Sequence, residues 1–149
     1  MNKIDTLHPL IREEVRQLVD HVNTTILTSN EVKMIVTQTL RTNAEQRALF
    51  LKKPKVTNAD AGQSIHNYGL AFDFCLSDGK KAIWETNKDF DADKQSDWME
   101  VVALFKSNDY VWGGDFKSIN DKPHFEKTFG NTWKTLMTKK RDINGYVIL

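Results

Sequence analysis

Behind Pro9, the apolar residues Ile11, Val15, Leu18 and Val22 recur at spacings of four, three and four. That period predicts an amphipathic helix whose first turn accepts the proline. Val32, Met34 and Val36 then alternate with Lys33, Ile35 and Thr37, which predicts a strand running toward Leu40 and Arg41. Thr42-Asn43-Ala44-Glu45 has the form of a capping box, so a second helix is expected over Gln46 to about Leu51.

From Lys52 to Gln63 there is no periodicity but Pro54, Gly62 and several small polar residues, so this stretch reads as a loop. Leu70, Phe72 and Phe74 next share one face of a predicted strand, and Ala71, Asp73 and Cys75 share the other. Ser77 to Gln95 is polar, with a hairpin expected around Asp78-Gly79; the pattern gives Trp84 and Phe90 no place. Asp97 is expected to cap a helix that buries Trp98, Val101, Val102 and Phe105. A short strand around Tyr110 to Trp112 follows, broken by Gly113-Gly114, and Pro123-His124-Phe125 marks another extended segment. Trp133 and Leu136 have helical spacing after Thr132, and the β-prone Tyr146-Val147-Ile148-Leu149 ends the chain. The order of elements predicts an α+β domain, with a small, mainly antiparallel sheet flanked by helices.

Composition narrows the function. A chain of 149 residues, 40% of them hydrophobic, suits one compact domain with a real core, and residues 1–149 are read as a single domain. With 21 Lys and Arg against 20 Asp and Glu, the net charge supplies no general attraction to nucleic acid or to an anionic membrane. The lone Cys75 excludes an internal disulfide and is expected to be a buried, inert thiol. The N-terminal stretch turns charged before any signal-like apolar run, and no segment approaches a membrane span. The expectation is a monomer that is cytoplasmic at synthesis, without a signal peptide and without membrane insertion.

The chemistry gathers in two segments, Ser64-Ile65-His66-Asn67-Tyr68-Gly69-Leu70-Ala71-Phe72-Asp73 and Asp121-Lys122-Pro123-His124. Two imidazoles and a carboxylate, His66, Asp73 and His124, make a three-ligand zinc site with the fourth tetrahedral position open for water. The pattern Ser-x-His-x-x-Gly-x-Ala-x-Asp, with Trp112-Gly113-Gly114-Asp115-Phe116 and Asp121-x-Pro-His124-Phe125-Glu126 downstream, resembles the zinc D,D- and L,D-peptidases of bacterial cell-wall peptides. That family includes VanY-type carboxypeptidases and the L-alanyl-D-glutamate peptidases of phage endolysins. The resemblance runs from about Arg41 to Glu126 and implies a hedgehog/D,D-peptidase-like fold with its zinc at the sheet.

It implies His66, Asp73 and His124 as Zn2+ ligands and Asp121 as general base, with Arg41 gripping a substrate carboxylate. A guanidinium fork suits that task. Ser64 and Gln46 are weaker candidates, Ser64 for substrate or for orienting His66 and Gln46 for supporting Arg41. Many members of the wider group use Glu as base, one methylene longer than Asp121, and the rigid Pro123 is compatible with a base set by its backbone. Asp115 is expected either to accept from a ligating imidazole or to close the Gly113-Gly114 turn, Trp112 to lie in the core, and His8 and His21 to be solvated.

The implied activity is hydrolysis of the L-alanyl-D-glutamate bond in a peptidoglycan stem peptide. A D-alanyl-D-alanine carboxypeptidase is the alternative within the class, and a non-catalytic, zinc-stabilised wall-binding module the alternative outside it. A phage or prophage endolysin released through a holin lesion fits this reading, as does an enzyme of muropeptide recycling. Taken as a triplet, Asp89, Asp91 and Asp93 resemble the start of a calcium loop without the Gly and terminal Glu of an EF-hand, and a solvated acidic loop is expected there.

Overall fold

The protein is described from a computed structural model, over residues 3–149. Helix α1 spans Pro9–His21 with the proline in its first turn. Ile11, Val15 and Val22 are fully buried, so the apolar stripe docks the helix on the core as its period predicts. Its cap is His8, whose Nδ1 accepts from Leu10 N at 3.1 Å while Nε2 meets the Val147 carbonyl at 2.7 Å. His8 is therefore buried, at 4% exposure, and not solvated as expected; His21 is exposed.

The sheet consists of β1 (Lys33–Gln38), β2 (Ala71–Ser77), β3 (Ala82–Ile83), β4 (Val111–Trp112) and β5 (His124–Glu126). Its strands run in the order β1-β2-β5-β4, every pairing is antiparallel, and β3 pairs with the far end of β2. The predicted α+β architecture is what the chain adopts. The hairpin into β3 turns at Asp78, whose Oδ1 accepts from the Lys80 and Lys81 N–H groups, both at 2.9 Å.

Helix α2 (Asn43–Phe50) starts one turn earlier than expected, with Thr42 accepting from Glu45 N at 3.1 Å. Helix α3 (Asp97–Ser107) is capped by Ser96 and not by Asp97, which is buried inside the first turn. It lays Trp98 and Phe105 against the sheet, where Phe74 meets Trp98 at 4.4 Å and Phe105 stacks on Phe125 at 4.9 Å. This aromatic layer fixes the separation of sheet and helix. Cys75 lies in the same core, buried and free. The tail contributes the short α4 (Trp133–Met137), but Tyr146–Leu149 forms no strand; Val147 makes one bridge to Arg141.

Candidate metal centre

Strand register brings two of the sequence candidates together. Asp73 on β2 and His124 on β5 are direct cross-strand partners, so their side chains rise side by side from one face of the sheet. The third candidate comes from the turn before β2. Ser64 caps the single 3-10 turn Ile65–Tyr68, its Oγ accepting from His66 N at 3.3 Å, and Gly69 ends that turn at φ +69°. A Cβ on Gly69 would lie 2.7 Å from His8 N, so the residue is glycine both for its backbone conformation and for space. The tight reversal folds His66 back over Asp73.

The donor atoms converge. His66 Nε2 and His124 Nδ1 each lie 3.3 Å from Asp73 Oδ1, and the three donors lie within 4.8 Å of one another. Ligands about 2.0–2.1 Å from a tetrahedral zinc are separated by about 3.3–3.4 Å, so the observed spacing is that of a zinc coordination edge. Asp73 Oδ1 and His124 Nδ1 are both buried without a hydrogen-bond partner, a state that is costly unless an ion occupies the space between them.

The outward ring nitrogens are engaged. His66 Nδ1 meets the Thr39 carbonyl at 2.8 Å, and His124 Nε2 meets Glu126 Oε1 at 2.8 Å. Each contact places the ring proton on the outer nitrogen and turns a lone pair inward, the arrangement that orients metal-binding imidazoles. Glu126 thus takes the role considered for Asp115, which instead pairs with Lys106 at 2.8 Å on the surface. Sequence reading passed over Glu126 although it sits two residues from His124 on one strand, hence on the same face. Thr39 and Asn67 were also missed; Asn67 Nδ2 donates to the Arg41 carbonyl at 2.9 Å, tying that segment to the His66 turn.

Asp121 Oδ2 lies 3.8 Å from His124 Nδ1, with its side chain still open to solvent. Burial raises its carboxyl above the ordinary value, His124 opposes this and Asp73 adds to it. The turn that carries it is held by the Trp-Gly-Gly segment. Asp121 N donates to the Gly113 carbonyl at 2.9 Å, and Trp112 Nε1 donates to the Lys122 carbonyl at 2.7 Å. Trp112 is a core residue at 9% exposure. Arg41 donates to Gln46 Oε1 at 2.8 Å and also to Gln38, while Gln46, fully buried, donates to the Ala59 carbonyl at 2.7 Å. Burial lowers the Arg41 pKa, against the attraction of Asp73, Glu45 and Asp121, which places the guanidinium in the field of the centre. A cavity of about 600 Å³ opens along Gln38, Thr39, Arg41, Glu45 and Leu49.

The chain is similar to known proteins. Residues 57–127 match the model of a peptidase M15 family described as D-alanyl-D-alanine carboxypeptidase. The peptidoglycan L-alanyl-D-glutamate endopeptidase CwlK of Bacillus subtilis (strain 168) is 36% identical over 127 residues, covering 80% of this chain and 72% of that protein. The chain is a member of the M15 peptidase family. An L-alanyl-D-glutamate peptidase of Listeria phage A118 is 31% identical over 101 residues, 66% of this chain but 31% of the phage protein's own length. The crystal structure of the Serratia marcescens L-Ala D-Glu endopeptidase ChiX superposes with a TM-score of 0.59 at 22% identity, covering 85% of this chain and 84% of that one; it shares the fold. M15 peptidases are generally metal-dependent, and among the described residues His66, Asp73 and His124 form one of the groups that could hold a metal ion.

Burial alone would lower the His124 pKa, but the neighbouring carboxylates of Asp73 and Glu126 outweigh it and hold the ring up at about 9. Below that pH the ring keeps a proton that an entering ion must displace. Affinity for zinc is therefore expected to rise with pH up to about 9, with about one proton released per ion at neutral pH. Calorimetry in two buffers of different ionisation enthalpy measures that release; binding without proton release contradicts the assignment of His124.

Proposed function

We propose that residues 1–149 act, as a monomer, as a single zinc peptidase domain that cuts the L-alanyl-D-glutamate bond of peptidoglycan stem peptides. The observation that carries the metal centre is the convergence of His66 Nε2, Asp73 Oδ1 and His124 Nδ1 at a 3.3 Å spacing, with the outward nitrogens already engaged. The choice of bond is supported by the names of the Bacillus and Listeria phage relatives.

A zinc ion held by His66, Asp73 and His124 would supply a Lewis acid for the scissile carbonyl and would make hydroxide available near neutral pH. Asp121 takes the proton of the attacking water and delivers it to the leaving amine, breaking the C–N bond as the new C–O bond is completed. Its raised proton affinity makes it a stronger base for the first of these transfers. Arg41, steadied by Gln46 and Gln38, binds a carboxylate of the stem peptide through its guanidinium fork. Ser64 acts on His66, through the bond to its backbone N–H.

The family description favours a second reading, a D-alanyl-D-alanine carboxypeptidase. Digestion of purified peptidoglycan separates the two. New amino-terminal D-glutamate that disappears with chelator and in His66→Ala is the expected product. Released D-alanine points to the carboxypeptidase, and no product at all to a non-catalytic module. No described helix is long and apolar enough to cross a membrane; the phage relative supports an endolysin role at the wall.

A further inference from the structure

Away from the metal centre, the loop that leads into α3 gathers five carboxylates. Asp89, Asp91 and Asp97 each bring an oxygen within 4.8 Å of the others, and so do Asp91, Asp93 and Glu100. Oxygens bound to one calcium at about 2.3–2.6 Å lie at most about 5 Å apart, so each triple is compact enough to surround an ion, and the two share Asp91.

Burial adds an independent sign. Asp97 is 0% exposed, yet its Oδ2 has no partner, and Asp91 Oδ1 and Glu100 Oε1 are enclosed and unpartnered beside it. Among the described residues no Lys, Arg or His forms an ion pair with any of the five. Enclosed, uncompensated carboxylate oxygens are costly unless a cation meets them. The aspartates are nonetheless held in place, each through one oxygen. Asp97 Oδ1 accepts from Phe90 N at 3.1 Å, Asp91 Oδ2 from Thr28 Oγ1 at 3.1 Å, and Asp89 Oδ2 and Asp93 Oδ1 from Lys94 N and Gln95 N, both at 2.8 Å.

Counted from Asp89, the acids occupy places one, three, five, nine and twelve, with Gln95 at seven. Those are the ligand places of a twelve-residue EF-hand loop, in which the seventh residue gives its backbone carbonyl. The sixth place, glycine in that loop, is Lys94, which takes the left-handed conformation at φ +70°. Helix α3 begins at Asp97 and carries Glu100 in its first turn, in the position of the helix that leaves such a loop. Asp89 and Asp93 are exposed, as expected of a solvated loop, but Asp97 beside them is buried and Glu100 stands where the triplet lacks a terminal Glu.

We propose that residues 89–100 form a calcium-binding loop, with carboxylates from Asp89, Asp91, Asp93, Asp97 and Glu100 and a carbonyl from Gln95. The all-oxygen donor set suits a hard cation, and the irregular loop suits calcium better than magnesium, which demands a near-ideal octahedron. The electrostatics agree, since burial and the nearby carboxylates of Asp93, Asp91 and Asp97 push Glu100 up to about 8. The ion fastens the loop to α3 and, through the Thr28–Asp91 bond, to the segment that follows α1.

Calcium titrated calorimetrically into the full chain, first stripped of calcium, is expected to bind at one site with a Kd below about 1 mM and to raise Tm. Glu100→Gln and Asp91→Asn are each expected to weaken binding at least about tenfold. Both remove charge from a crowded acidic cluster and keep its shape, so their calcium-free Tm is expected to be no lower than that of the parent chain. Terbium luminescence excited through Trp98 reports the same site. No saturable binding and no thermal shift at about 10 mM calcium, or equal binding by the parent and both variants, overturns the proposal.

Discussion

Asp121→Ala is expected to lower hydrolysis of stem peptides by roughly 10²–10⁴-fold, the range for removal of a general base, while zinc content stays unchanged. The separation of the two effects follows from how the residue is held. Its backbone fixes the turn, with Asp121 N donating to the Gly113 carbonyl at 2.9 Å and His124 N donating to the Asp121 carbonyl at 3.1 Å. Alanine keeps both bonds. Only the carboxylate 3.8 Å from His124 Nδ1 is lost, and with it the group that moves the proton. Asp121→Asn tests the same point without changing volume, since an amide cannot take the proton, and Asp121→Glu is expected to retain part of the activity because its longer arm must be re-aimed. Atomic absorption on each variant, beside turnover of a defined stem peptide, reads the two quantities separately. Full activity in Asp121→Ala would remove the residue from the chemistry, and loss of zinc would make it a structural support.

The pattern of the chain reveals some levels of this site and hides others. The alternation that sets Asp73 opposite Phe72 and Phe74 and the spacing of Ser64, His66 and Gly69 are local, and a sequence carries local geometry well. The pairing of Asp73 with His124 is not local; only register, set by the whole sheet, brings them together. Asp115 and Glu126 show the same division. Both are carboxylates near a ligand in sequence, but the 3-10 turn after Trp112 sends Asp115 outward to Lys106 while strand β5 aims Glu126 at His124 Nε2. His8 defeats a local reading altogether, because its burial depends on the Val147 carbonyl at the other end of the chain. That contact also explains why the β-prone tail is no strand: β propensity expresses fit to a pleated neighbour, and Val147 finds one bridge and an imidazole instead.

Gly113→Ala is expected to destroy the site from outside it. An added Cβ would stand 2.2 Å from the Asp121 carbonyl oxygen, 2.9 Å from His124 Cβ and 3.0 Å from Asp121 Cβ. The first of these is backbone, so relief requires moving the turn that carries the base and the third ligand together. Overpacking of this kind costs about 1–3 kcal/mol or more, a fall in Tm of roughly 2–12 °C for a chain of this size. The effect on function should exceed the effect on stability, because a displacement of about 1 Å at a reacting group can cost about 10²-fold in rate and the same shift pulls His124 from Asp73. Gly79→Ala provides the comparison. Its Cβ meets nothing within 4 Å, but its φ of +89° makes any side chain strained, at a cost of about 1–2 kcal/mol, with zinc and turnover preserved. If Gly113→Ala keeps zinc and activity at the level of Gly79→Ala, the Trp-Gly-Gly segment does not hold the catalytic turn. Loss of both at a similar Tm assigns Gly113 the close approach on which Asp121 and His124 depend.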